Sequence, residues 1–551
     1  MKFSKIFFRS LILIFILSMY GIFLGRDINF FVADLGRLLK AGELYFQGFS
    51  IPQTNYYSYT YPDYPCINHH WASGVIFFLI HKLAGFNGLS IFFVAISIAT
   101  FLLFFSLAWR YSNFEIASLV SIIMIPVIVS RGEIRPEVFS YFFSGVFLWI
   151  LWNFKTSRIS WRWLFLLPLL EILWVNVHIY FFIGLLLIAA FLSEYSIIFW
   201  MRKGKDEFIR IKKLALCLIL AFSCAFLNPA GPAGVFYPLR IMRDMGCDIL
   251  EMQPVYVIAK TKSIDFFPLI YFELAFVLLL LSWLYVLVQE SIKHFPVLLR
   301  KSLKVIAEGD FLVIGQIRKK EGFSIVNFLL TLIFCAMGIL EVRNFAFFGF
   351  FALPIAANNL RNMIKREADS VRDYCLRGSL FILICVSIFL VNPEYWPRRS
   401  YLGIGLNRES TQAIDFFKKA DIQGPILNNF DVGGYLIYYL FPKERVFVDN
   451  RPEAYPASFF RDMDIGLQVN EKRWREAESL YGFNTIFFYY RVYTAWGQGF
   501  LIRRLSDPQW AAVYIDDSCV ILLKRNERNQ DIIRKYELPG GSPTIKSLLT
   551  Q

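Results

Sequence analysis

Two aspartates seven residues apart, Asp27 and Asp34, follow directly on an apolar run, and the stretch "SIPQTNYYSYTYPDYPCINHHWASG" beyond them adds Asn68, His69 and His70. Further along, "SRGEIRPEVFS" supplies Arg131, Glu133, Arg135 and Glu137, "LWVNVHIYF" supplies Asn176 and His178, and "EVRN" supplies Glu341, Arg343 and Asn344. These residue types divide by chemistry. A carboxylate can orient an attacking hydroxyl or take its proton. A guanidinium presents paired donors that match phosphate oxygens, which makes Arg135 and Arg343 the candidates for gripping phosphate. Arg343 stands between the apolar runs "GILEV" and "NFAFFGF", where an unpaired charge is costly; an ion pair with Glu341 or Glu137 is its structural alternative. Two helical turns separate Asp27 from Asp34, so a helix between them puts both on one face; the plainer role is a helix cap or first-turn carboxylate for Asp27 and an exposed helix charge for Asp34. Glu133 and Glu137 can bind an acceptor or, with Asp27, a divalent ion such as Mg2+ or Mn2+, and beside arginines they serve equally as ion-pair partners. His69 and His70 are adjacent, so they share no helix face, and neither a His-x-x-x-His motif nor a matching cysteine accompanies them; a zinc pair is not supported. Contact with a bound ligand or a hydrogen-bonded loop role remains for them, as for Asn176 and His178.

The elements that must position these residues are membrane helices. Of 551 residues, 56% are hydrophobic, 18% aromatic and only 18% charged, and the mean hydropathy is +0.49, against about 25% charged in soluble domains. Apolar windows long enough for ~30 Å of hydrocarbon recur near 6–25, 88–109, 114–130, 137–154, 161–176, 179–201, 213–228, 266–288, 324–341, 345–360 and 378–392, which predicts about 11 spans. The first has basic flanks but no clear small-residue cleavage site, so it is expected to be a retained anchor. The short run Trp71–Gly85 carries His81 and Lys82 and is expected to lie at the interface as a separate helix. With that choice the excess of Lys and Arg falls on the loops sharing a side with the N-terminus, which predicts a cytoplasmic N-terminus and an extracytoplasmic C-terminus. The same excess accounts for the net charge of +14 without nucleic acid. Every polar residue named above then falls at the outer boundary. The eight cysteines show no C-x-x-C spacing, so neither a zinc site nor a disulfide framework is expected.

Beyond residue 392 the texture changes. Short strand-like runs, Pro425–Leu427, Arg445–Asp449, Thr485–Tyr490, Ala512–Ile515 and Val520–Lys524, alternate with amphipathic stretches at 409–420 and 471–481. The expected organisation is a transmembrane domain over 1–392, with an outer loop at 26–87, and a small α/β domain over 393–551 on the outer face. "GIGLN" at 403 to 407 lacks the strand–helix context of a dinucleotide site.

One span, a large outer loop with an acidic residue just past the membrane, then many spans and an outer soluble domain resembles the GT-C superfamily of polyprenyl-phosphate-sugar-dependent glycosyltransferases, the protein mannosyltransferase and aminoarabinose transferase type. The stretch from "RDINFFVADLGRLLKAGELYFQGFSIPQTNYYSYTYPDYPCINHHWASG" to "VIFFLIHKLAGFNG" is similar to the superfamily pattern of an Asp, a short helix, "IP" before "S-Y-T", a polar "N-H-x-W" and a juxtamembrane helix. "RGEIRPEVFSYFF" resembles its second acidic motif. The resemblance covers about 390 residues in topology and is specific over some 60 to 70. It implies Asp27 at the position of the catalytic acid with Asp34 beside it, and His69, His70, Arg135, Glu137, Asn176, His178 and Arg343 around the substrate. It also implies a lipid-phosphate sugar as donor, a glycan, lipid or protein as acceptor, and an inverting displacement. Tyr56, Tyr57, Tyr59, Tyr61, Tyr64 and Trp71 either stack on sugar or form an interfacial belt, the belt being the expectation for most. Two other classes remain: a transporter or flippase of lipid-linked sugars, with Glu171, Glu194 and Glu273 in or near the membrane, and a non-catalytic assembly factor with a GT-C shell.

Overall fold

A computed structural model of the chain describes residues 2–31, 34–241, 246, 249–260, 267–308, 324–363, 378, 403–491 and 494–539. The expected span at 378–392, the domain boundary at 392 and the link into the C-terminal domain lie outside these residues.

Helix α1 (Lys2–Leu24) leads into a short loop and the amphipathic α2 (Leu35–Phe46). Helix α3 (Trp71–Tyr111) runs for 41 residues, but Gly85, with φ 63° and ψ −162°, breaks it at the place where the sequence separates a short run from a long apolar one. Then come α4 (Phe114–Ile128), whose first turn is capped by Asn113 accepting from the Ile116 N–H at 2.8 Å, and α5 (Glu137–Lys155). A 3-10 turn at Trp161–Phe165 precedes α6 (Leu166–Val177), followed by α7 (Phe182–Arg202) and α8 (Lys205–Ala225). Helices Phe267–Glu308, Ile325–Leu340 and Phe345–Asn359 complete the bundle. Among the described residues six helices are long and apolar enough to cross a membrane, and Ile325–Leu340 is a shorter apolar one. The chain is thus an integral membrane protein. Helix Phe345–Asn359 is buried at all 15 positions, as expected of a helix that is apolar all round and sits at the centre of its neighbours.

The C-terminal part is a four-stranded sheet in the order β1-β2-β4-β3, from β1 (Ile426–Asn428), β2 (Thr485–Tyr489), β3 (Trp510–Ile515) and β4 (Cys519–Lys524). Strands β1 and β2 are parallel and the other pairings antiparallel. Helix Glu471–Tyr481, capped by Asn470 and stopped by Gly482 at φ 62°, matches its expected range. The expected strand at Arg445–Asp449 is not in the sheet. Instead Val446 pairs with the outer loop: its N–H donates to the Tyr57 carbonyl at 3.1 Å, and its carbonyl accepts from the Tyr59 N–H at 3.1 Å.

This pairing is part of a broad seam. Ser58 and Thr60 hydroxyls bond the Phe447 carbonyl, and Tyr59 Oη donates to the Ile426 carbonyl at 2.9 Å. Tyr57 is buried and packs edge-on to Phe441, so for these tyrosines the expected membrane belt gives way to a protein–protein seam. At its heart Arg451 makes a buried, two-pronged pair with Asp449 through Nε and Nη2, at 2.7 Å for both contacts, and the same Nη2 also donates to Asn55 Oδ1.

Candidate functional site

Helix α2 is pinned on two sides. A Cβ at Gly36 would lie 2.6 Å from the Gly434 carbonyl oxygen, and one at Gly42 would run into the carbonyl of Gly74 in α3, so only glycine permits either approach. Asp34 occupies the N-cap of this fixed helix, yet its carboxylate makes no capping bond; it accepts only a long 3.4 Å contact from Arg37. The side chain is therefore left to face a cavity of about 970 Å3.

The same cavity is lined by Arg131, Arg135, Glu251 and Arg343 from the membrane domain. Arg131 holds Glu137 through two bonds, 3.0 and 2.8 Å, and reaches Glu251. Arg135 is shared between Glu133 at 2.9 Å and Glu251 at 3.1 Å. These two guanidiniums are thus spent on carboxylates, and Glu137 and Glu133 are spent with them. Arg343 differs: its Nε bonds Glu341 at 2.7 Å and its plane lies over Tyr180, while no bond is described for either terminal amino group. Arg343 and Asp34 thus line one cavity, and among the described residues only the Nε of Arg343 is bonded.

Asp27 sits elsewhere. Ile28 N–H donates to the Gly405 carbonyl at 2.8 Å and Asn407 N–H to the Ile28 carbonyl at 3.1 Å, which lays segment 403–407 alongside it. Its Oδ1 is buried without a hydrogen-bond partner, and burial, with Glu409 nearby, raises its carboxyl above the usual range. Asp27 lines neither this cavity nor the second one described next.

The second cavity, about 620 Å3, is lined by Asn68, His69, Trp71, Asn176, Tyr237, Arg240 and Glu453 among others. His69 packs on His70 with centroids 3.8 Å apart, and His70 stacks on His178 at 5.2 Å. Burial, then the His178 imidazole, pulls His69 down to about 3, and burial with His69 beside it lowers His70 too, so both are neutral at physiological pH. They can share hydrogen bonds with a ligand but cannot act as cations toward phosphate. His178 Nδ1 bonds the Ser140 hydroxyl at 2.8 Å, which also accepts from Trp174. Asn176 accepts from Trp71 Nε1 at 2.8 Å and donates to the carbonyls of Ile172 and Leu227. Its polar atoms are occupied in joining helix ends.

For a metal ion the donor set does not fit. Glu133 is paired with Arg135, Asp27 lies apart beside the 403–407 segment, and among the described residues no group of three or more His, Cys, Asp or Glu is arranged to hold one. Sequence reasoning passed over the residues that close the large cavity from the C-terminal side, Asp431, Asn450, Asp464 and Trp496. Only the carboxylate after "NNF" in an otherwise apolar stretch hinted at Asp431.

No family model matches the chain, and no curated protein matches it in sequence. Solved structures do. The archaeal oligosaccharyltransferase AglB from Archaeoglobus fulgidus, in complex with an inhibitory peptide and a dolichol-phosphate, aligns with TM-score 0.52 and 12% identity over 93% of this chain and 73% of that one. The A. fulgidus oligosaccharyltransferase in complex with Zn and sulfate aligns with TM-score 0.50 and 12% identity over 92% and 73%. ArnT from Cupriavidus metallidurans bound to undecaprenyl phosphate aligns over 93% of this chain and 97% of that one, with TM-score 0.48 and 12% identity. At such identity the likeness is one of fold.

Proposed function

We propose that this chain, whose fold is that of the GT-C glycosyltransferases, transfers a sugar from a polyprenyl-phosphate donor to an acceptor hydroxyl at the outer face of the membrane. The observation that carries the reading is the meeting of the uncapped Asp34 carboxylate and the free amino groups of Arg343 on one cavity, closed on its far side by the C-terminal domain. The AglB complex holds a dolichol-phosphate within the same fold, which supports a lipid-phosphate donor. The orientation predicted by the basic loops places the cavity outside, where such donors present their sugars.

The chemistry needs three things of the protein. Asp34 orients the acceptor hydroxyl and takes its proton as the oxygen bonds to the anomeric carbon. The bond from that carbon to phosphate oxygen breaks at the same time, and the electron pair leaves with the phosphate, so configuration inverts. Arg343 receives the growing charge through its terminal amino groups, while Arg131 and Arg135, held by Glu137, Glu133 and Glu251, keep the wall beside it rigid. A phosphate leaving group departs without a general acid. The neutral His69, with His70 and His178 stacked behind it, would offer a hydrogen bond to the donor from the second cavity. Asp27 is assigned to the seam and Asp34 to catalysis, reversing the order that the family pattern implies.

The test is release of labelled sugar from a panel of polyprenyl-phosphate sugars by full-length protein in nanodiscs, with membrane extract as acceptor source. Turnover of one donor that is lost in Asp34→Asn supports the reading. No turnover of any donor by the wild type, with donor binding demonstrated, refutes it and leaves the transporter or assembly-factor class.

A further inference from the structure

The wall that the C-terminal domain gives to the large cavity holds groups for which the donor chemistry has no use. Asp431 comes from the 3-10 turn Phe430–Val432 and Asp464 from the end of the π-turn Phe460–Asp464. Asp464 is buried, and its carboxylate accepts from Gln468 Nε2 at 3.3 Å, an amide also spent on the Asp464 carbonyl at 2.9 Å. Asn429 gives its amide to the Tyr489 carbonyl at 3.0 Å. Asn450 Oδ1 is buried with no hydrogen-bond partner. Arg461, a cation on this wall, is engaged within the protein. The wall therefore offers unmet acceptors, while the amide donors of Asn429 and Gln468 are occupied. A buried acceptor left unmet is costly, a cost that a donor-rich ligand removes.

Flat apolar faces flank these acceptors. Phe430 and Phe460 meet edge to face at 5.9 Å, and Trp496 is 41% exposed at the rim. A saccharide matches this combination: its hydroxyls donate, and its C–H face lies on an aromatic ring. An anion would meet facing carboxylates. A peptide brings one carbonyl acceptor for each N–H donor, and the carbonyls would find few donors here. Burial and the facing Asp431 push the Asp464 carboxyl up to about 7, and burial pushes Asp431 up to about 6, which keeps the pair from repelling a neutral ligand's oxygens outright.

We propose that Asp431, Asn450, Asp464 and Trp496 form the acceptor subsite and that the acceptor is a neutral saccharide, so that the C-terminal domain selects what the membrane domain glycosylates. This rests on the transferase reading above. Binding is measured by saturation-transfer NMR on full-length protein in nanodiscs. The probes are methyl glycosides and tri- and tetrasaccharides of glucose, galactose, mannose and N-acetylglucosamine, with an acetylated, amidated hexapeptide containing Ser, Thr and Asn as contrast. The expected result is saturable binding of at least one saccharide, weakened tenfold or more by Trp496→Ala and by Asp431→Asn. The exposed Trp496 can be cut back without opening the core, so the test survives if an Asp464 variant fails to fold. Absence of binding by every saccharide overturns the proposal, as does peptide binding that Trp496→Ala abolishes. Donor turnover without saccharide binding would sink this subsite and leave the transferase; saccharide binding without donor turnover would sink the acceptor role together with the transferase reading and leave a binding site alone.

Discussion

At the scale of single residues, Asp34 and Asp27 are separated by what surrounds them rather than by what they are. One lines a cavity with guanidinium donors; the other lies beside segment 403–407. If Asp34 takes the acceptor proton, Asp34→Asn lowers turnover by about 10²–10⁴-fold, whereas Asp27→Asn stays within about tenfold and shows mainly as a changed melting temperature. Both are read from initial rates and thermal melts of the same preparations. Arg343→Lys keeps the charge but gives up the planar pair of donors, and a loss of about 10²-fold in kcat is expected, measured at saturating donor. The Asp464 carboxyl carries a pH signature. Its folded value, about 7, lies above the unfolded value of about 3.9. The stability it confers is therefore complete below about pH 3.9 and is lost as pH rises through about 7. Asp464→Asn should flatten the melting temperature between those limits relative to wild type. Arginine and carboxylate identities were legible in the sequence; which arginines are saturated was not, because that depends on Glu251 arriving from a loop more than a hundred residues away.

At the scale of elements, α2 decides where Asp34 stands. Its amphipathic pattern and the break at Gly85 could be read from the sequence, since both are local. Its position could not, because Gly36 and Gly42 matter only through the backbones of Gly434 and Gly74 that press on them. Gly42→Ala drives a methyl group into a backbone carbonyl and is expected to cost about 1–3 kcal/mol. Activity should fall more than stability alone explains, since the helix that carries Asp34 has to shift; parallel melts and rate measurements check this. The Arg445–Asp449 run illustrates the opposite error. Its alternating apolar residues satisfy a strand pattern, but its edge is paired with Tyr57 and Tyr59 of the outer loop rather than with the sheet.

At the scale of the whole molecule, the seam ties the loop around residues 55–60 to the C-terminal part. Arg451, buried against Asp449 and Asn55, is its central fastening. Removing one member of a buried ion pair strands the other, at about 3–5 kcal/mol. Arg451→Ala should accordingly open the seam to limited proteolysis between residues 50 and 66 before the membrane helices melt. By itself the sequence determined the membrane character, the rough positions of the helices and the sheet strands other than 445–449, and the chemical types gathered at one boundary, because hydropathy, periodicity and capping are properties of neighbouring residues. Only the tertiary structure decided which aspartate faces the arginines, which polar atoms are already spent, and that the loop's tyrosines and hydroxyls bind the C-terminal domain. Those outcomes depend on contacts between segments hundreds of residues apart, and a hydrogen-bonding group carries no mark in the sequence of the partner that will satisfy it.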